Sequence, residues 1–100
     1  MSLIILRLAR KLPKLEVTAE KDSDEILVWI HYFKGRWHWY VIEFDQNDTF
    51  FGYVVGVEEE LGYFSLSELY EIGVRRDLNW RCCLLSKIVW WRKNSKSKNY

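Results

Sequence analysis

Asp48-Thr49-Phe50-Phe51-Gly52-Tyr53-Val54-Val55-Gly56-Val57, then Glu58-Glu59-Glu60, then Leu61-Gly62-Tyr63-Phe64-Ser65-Leu66-Ser67-Glu68-Leu69, is the stretch whose reading decides the fold. Phe50 to Val57 reads as a strand, because aromatic and β-branched residues fill nearly every position. Gly52 and Gly56 share one face of it with Phe50 and Val54, which allows a helix or an aromatic ring to approach closely; Phe51, Tyr53, Val55 and Val57 form the bulky face. The glutamates mark a turn, and Leu61 to Phe64 returns as the next short strand. Ser65-Leu66-Ser67-Glu68 has the form of a capping box, in which Ser65 accepts from the Glu68 amide and the Glu68 carboxylate reaches back to the Ser65 amide. Phe64 and Leu69 complete a hydrophobic staple around it. The helix it starts runs from about Leu66 to Ile72, with Gly73 placed as the stop.

Working outward towards the N-terminus, Ile26 to Phe33 and Trp37 to Phe44 are two further strand-like runs joined at Lys34-Gly35-Arg36. Two registers are open. A two-residue turn at Gly35-Arg36 pairs Lys34 with Trp37 and sets His31 and His38 on one face; a three-residue loop pairs Phe33 with Trp37 and separates the histidines. Asp45-Gln46-Asn47-Asp48 is the next turn, where Asp and Asn tolerate left-handed backbone. Ile4, Ile5, Leu8, Ala9 and Leu12 recur at helical spacing with Arg7, Arg10 and Lys11 between them, and Pro13 ends that helix near Leu12. Residues 16–25 are an acidic connection, extended near Val17. Beyond Gly73, residues 74–85 read as a fifth strand, and Ser86 caps a last helix carrying Ile88, Val89, Trp90 and Trp91. Residues 92–100 read as a frayed basic tail. The expected fold class is α+β: one domain over residues 1–100, with a small antiparallel sheet of about four to five strands and short flanking helices.

Composition supports a single small core. The chain has 100 residues, and its six Trp, six Tyr and five Phe let a small domain bury much apolar surface. Cys82 and Cys83 are adjacent, and neighbours on a strand point to opposite faces, so they suit a reducing compartment as free thiols. Charge is unevenly placed. Residues 1–14 sum to +4, residues 15–74 to −10 and residues 75–100 to +7, for a net of +1. The basic ends would form one face if both pack on the same side. Leu3-Ile4-Ile5-Leu6 is too short for a signal core or a membrane span, so a cytoplasmic protein is expected.

Residues 39–78 carry a longer pattern: Trp39-Tyr40, Glu43-Phe44-Asp45, Phe50-Phe51-Gly52, Glu60-Leu61-Gly62-Tyr63-Phe64-Ser65-Leu66-Ser67-Glu68-Leu69 and Arg76-Asp77-Leu78, with Lys11-Leu12-Pro13-Lys14-Leu15 ahead of it. This resembles a bacterial family associated with plasmids and mobile elements and described only as a domain of unknown function. The resemblance implies a mobile-element setting and no reaction. The chain departs from the family pattern in the short segment Glu71-Ile72-Gly73-Val74-Arg75 and in its tryptophan-rich basic end.

No catalytic signature is present. His31 and His38 lack a neighbouring nucleophile motif and a third zinc ligand, and are expected to be packing residues of an aromatic hairpin. Glu43, Asp45, Asp48 and Glu58-Glu59-Glu60 lack calcium-loop spacing, so no metal and no cofactor is expected. Trp, Tyr and Arg dominate interface energetics. A protein-binding role therefore falls on Arg36, Trp37, Trp39, Trp90, Trp91 and Arg92. The expected function is a non-enzymatic interaction module; the resemblance implies a role in plasmid, phage or transposon biology, such as inhibition of a host defence system. The alternative is nucleic-acid binding. Trp29, Trp37, Trp39 and Tyr40 stand among bases in the hairpin, and Trp80, Trp90 and Trp91 do so near the end; Lys34, Arg36, Arg75, Arg76, Arg81, Arg92 and Lys93 would contact phosphate. The oligomeric state stays open.

Overall fold

A computed structural model describes Ile4 and residues 6–94. The fold is α+β. Its elements in chain order are α1 (Leu6–Ala9), β1 (Leu27–Val28), β2 (Ile30–Lys34), β3 (Trp37–Phe44), β4 (Thr49–Val55), β5 (Glu59–Ser65), α2 (Leu66–Ile72), β6 (Arg75–Arg76), β7 (Cys83–Leu84) and α3 (Leu85–Asn94). The main sheet is antiparallel, in the order β5-β4-β3-β2-β6, and β1 pairs with β7 in a separate two-stranded sheet.

The hairpin adopts the first of the two open registers. Lys34 pairs with Trp37 and His31 with Tyr40. Gly35 has φ +58° while Arg36 is not in the positive-φ region, which is the two-residue turn whose first central residue must be glycine. The next turn is pinned differently from expectation. Gln46 takes the left-handed backbone at φ 68°, and the Asp45 carboxylate accepts from the amides of Asn47, Asp48 and Thr49.

Both faces of the sheet are covered. On one face Ile30, Tyr32, Trp39, Val41, Phe44 and Phe50 pack with Ala9 and Leu12 and with Leu69 of α2. On the other, Tyr40, Ile42, Tyr53 and Val55 pack with Ile26 and Val28 and with Leu85 and Ile88 of α3. The glycines act as the alternation requires. A Cβ on Gly56 would lie 2.1 Å from the Trp37 ring, and one on Gly52 would lie 2.1 Å from the Tyr40 carbonyl oxygen, so the sheet closes only around hydrogen at these positions.

A bulge between Val41 and Glu43 inserts Ile42 opposite β4 and re-aims Glu43 into the protein, where it is 1% exposed. Its carboxylate accepts from the amides of Glu16 and Thr18 and from the Thr18 hydroxyl, which anchors the acidic connection. That connection is a run of tight turns rather than extended chain, with Val17 N–H donating to Lys14 and Ala19 N–H to Glu16.

Three further boundaries are corrected. The first helix is one turn, Leu6–Ala9, continued to Leu12 by turn hydrogen bonds. Residues 74–85 are not one strand: Asp77 Oδ1 accepts from the Asn79 amide and the Asp77 carbonyl from Trp80, a turn that separates β6 from β7. Arg92, Lys93 and Asn94 are the last turn of α3 and not tail; residues 95–100, the rest of the expected tail, lie outside the described residues. α1 and α3 cover opposite faces of the sheet, while Arg76, paired with Tyr32, falls on the α1 side.

Candidate functional site

The two-residue turn brings His31 and His38 together, since cross-strand partners share a face. Their rings stack at 5.1 Å, and His31 stacks on Tyr40 at 4.7 Å with an interplanar angle of 6°. His31 Nε2 lies 2.8 Å from His38 Nδ1. The turn after β6 delivers the third member: Asp77 N–H donates to the His31 carbonyl, and Asp77 Oδ2 lies 2.9 Å from His31 Nδ1. A carboxylate, two imidazoles and a phenol from three parts of the chain thus form one polar string.

The string lines a cleft of about 430 Å³ closed on its far side by α3, with Trp80, Cys83, Lys87, Ile88, Trp91 and Arg92 as the other walls. Arg92 is held in place by its neighbours. Its Nε and Nη2 donate to the Tyr40 hydroxyl at 3.3 and 2.9 Å, and its guanidinium lies 5.6 Å from the Tyr40 ring centroid and 5.4 Å from that of Trp91. Trp80 donates its indole N–H to the Val28 carbonyl, which fixes that wall to β1. Among the described residues no carboxylate lies within ion-pair distance of Arg92 or Lys87.

Proton positions follow from the geometry. The Asp77 carboxylate only accepts, so His31 Nδ1 carries the hydrogen of that bond. Burial holds the His31 imidazole below its usual range against the opposing pull of Asp77. Neutral His31 then accepts at Nε2, and His38 Nδ1 must donate. His38 is itself lowered to about 4, first by burial, then by the charge of Arg92 and by His31. A neutral His38 protonated at Nδ1 keeps a bare lone pair at Nε2. Burial likewise raises Tyr40 above the ordinary phenol range, against the pull of Arg92, so the hydroxyl stays protonated.

The sequence-predicted residues divide between the two faces. Trp37, 44% exposed, and Arg36 stand at the hairpin, where Trp37 stacks on Trp39 at 6.0 Å. Trp39, also assigned to the partner surface, is a core residue, 8% exposed. Trp90 and Trp91, 65% and 40% exposed, lie with Arg92 on α3 across the sheet, and with Ser86 and Lys87 they line a second hollow of about 620 Å³. Of the bases assigned to nucleic acid, Arg75, Arg81 and Lys93 are exposed, Arg76 is half-buried, and Lys34 donates to the Ile72 carbonyl.

Sequence reasoning placed both histidines but missed their junction with Asp77, 46 residues from His31. The register was the available signal, since only the two-residue turn sets the histidines on one face. Of the acids weighed for metal binding, Glu43 is engaged by amides and Asp48 by Ser65 and Ser67. Among the described residues Asp22, Asp24 and Glu25 form an acidic group of suitable spacing, all exposed. Comparison with protein-family models, curated proteins and solved structures returned no match for this chain.

Proposed function

We propose that this protein is a non-enzymatic interaction module that takes an acidic segment of a partner protein in the cleft between the β2–β3 hairpin and α3. The supporting observation is Arg92. It is a half-buried cation with no carboxylate partner among the described residues, held against Tyr40 and Trp91 at an aromatic-walled cleft. Two of its five N–H donors go to Tyr40, which leaves the others for an incoming carboxylate. Exposed Trp90 and Trp91 supply large, stiff contact area beside it. The setting in plasmid, phage or transposon biology, including action against a host defence protein, rests on the resemblance of residues 39–78.

A pull-down from bacterial lysate tests this reading. The partners held by the wild type are expected to be lost with Arg92→Gln and Trp90→Ala and kept with Trp37→Ala, which alters the opposite face. Identical partner lists for all four proteins would overturn it. Nucleic-acid binding draws less support, because Lys34 is engaged within the fold and Arg76 is half-buried. A mobility shift that weakens steeply with salt would restore that alternative. Among the described residues no helix is long and apolar enough to cross a membrane.

A further inference from the structure

Resting on the reading of the cleft as a site for an acidic segment, we propose that it takes a carboxylate together with one proton, the carboxylate on Arg92 and the proton on the His31–His38 pair. The two histidines are hydrogen-bonded at 2.8 Å, and Tyr40 links them to Arg92, stacking on His31 and accepting from the guanidinium. Every other ring position of the string is occupied: His31 Nδ1 by Asp77, His31 Nε2 and His38 Nδ1 by each other. The incoming proton, drawn from solvent, therefore lands on His38 Nε2. The imidazolium then shares its charge along the string, because His38 Nδ1–H faces His31 Nε2 and Asp77 lies beyond.

The charged and titratable groups around the pair set the direction of the coupling. Asp77 favours the extra proton. Arg92 on α3 opposes it and acts on both rings, and Lys87 lines the same cleft. Tyr40 and Cys83 face the same cleft, and the Tyr53 hydroxyl, one strand further, donates to Glu59 at 2.6 Å. A carboxylate seated on Arg92 cancels the main opposing charge and adds an attractive one. Ligand and proton then bind with positive coupling, and the coupling is reciprocal.

Benzoate is the probe, since it offers a carboxylate and an aromatic ring and stays ionised across the range. Titration followed by NMR is expected to give about fourfold tightening from about pH 7.5 to about pH 5.5, with the titration of the His31–His38 pair moving up by about two pH units when saturated. His38→Gln is expected to flatten the pH dependence, and Arg92→Gln to abolish binding at both pH values. Benzamide, the uncharged counterpart, is expected to show no tightening. Equal benzoate affinity at both pH values would overturn the proton coupling and leave the acidic-segment reading standing. Failure of benzoate to bind at either pH, or indifference to Arg92→Gln, would overturn both.

Discussion

His38 shows how a single side chain registers its surroundings. Its imidazole titrates near 6.5 in an unfolded chain and at about 4 in the fold, so between those values the unfolded state binds the extra proton. Its contribution is complete above about pH 6.5 and is lost as pH falls towards 4, and His31 acts in the same direction. Stability from urea unfolding is expected to drop by about 1–2 kcal/mol between pH 7 and pH 5, and His38→Gln should flatten that slope. A wild type equally stable at both pH values contradicts the buried, neutral pair. The glycines offer a sharper contrast. A Cβ at Gly52 meets the Tyr40 backbone oxygen, which cannot swing aside, whereas one at Gly62 meets nothing within 4 Å. Gly52→Ala should cost about 2–3 kcal/mol and Gly62→Ala no more than about 0.5 kcal/mol, measured by denaturant midpoints.

At the scale of elements, α2 was the most legible part of the chain because its signals are local. Ser65 Oγ accepts from Glu68 N–H at 3.2 Å, and Gly73 closes the helix at φ 75°, as the spacing predicts. The reciprocal arm is different: Asp48, seventeen residues before Ser65, accepts from the Ser65 hydroxyl and from the Ser67 amide and hydroxyl. Ser65→Ala is therefore expected to lower stability by about 1 kcal/mol and Glu68→Ala by only about 0.3 kcal/mol, a ranking that thermal melts of the two variants would read directly. Equal losses would return the second arm to Glu68. The same distinction explains the errors. Residues 74–85 contain Val74, Cys82, Cys83 and Leu84 at strand-like positions, but Asp77 turns the chain through bonds to Asn79 and Trp80. The Glu43 bulge and the Asp77–His31 contact depend on partners 25 to 46 residues distant, which no local pattern encodes. The sheet was thus readable from alternation and turns, while the site was readable only as two histidines awaiting a register.

Across the whole molecule, one sheet carries two unequal coverings. The face under α1 and α2 is filled by large buried rings, Tyr32, Trp39, Phe44 and Phe50, and is tied by the Asp48 cap and the Glu43 anchor. The other face is closed by α3, which buries only Leu85 and Ile88 in full and holds the sheet through Arg92 and Tyr40. Elements with few buried apolar contacts open at lower free energy than the strands beneath them. Hydrogen exchange should therefore find the α3 amides opening about a hundredfold more readily than those of β3 and β4, which pair on both sides. Because the cleft lies between α3 and the sheet, a bound carboxylate joins the two layers through Arg92, and saturating benzoate at about pH 5.5 should slow α3 exchange while leaving β3 and β4 unchanged. Equal protection of α3 and β3 in the free protein would mean that the helix opens only with global unfolding. The cleft would then be a fixed part of the core, and its ligand would have to enter past Trp91 and Lys87 without α3 moving.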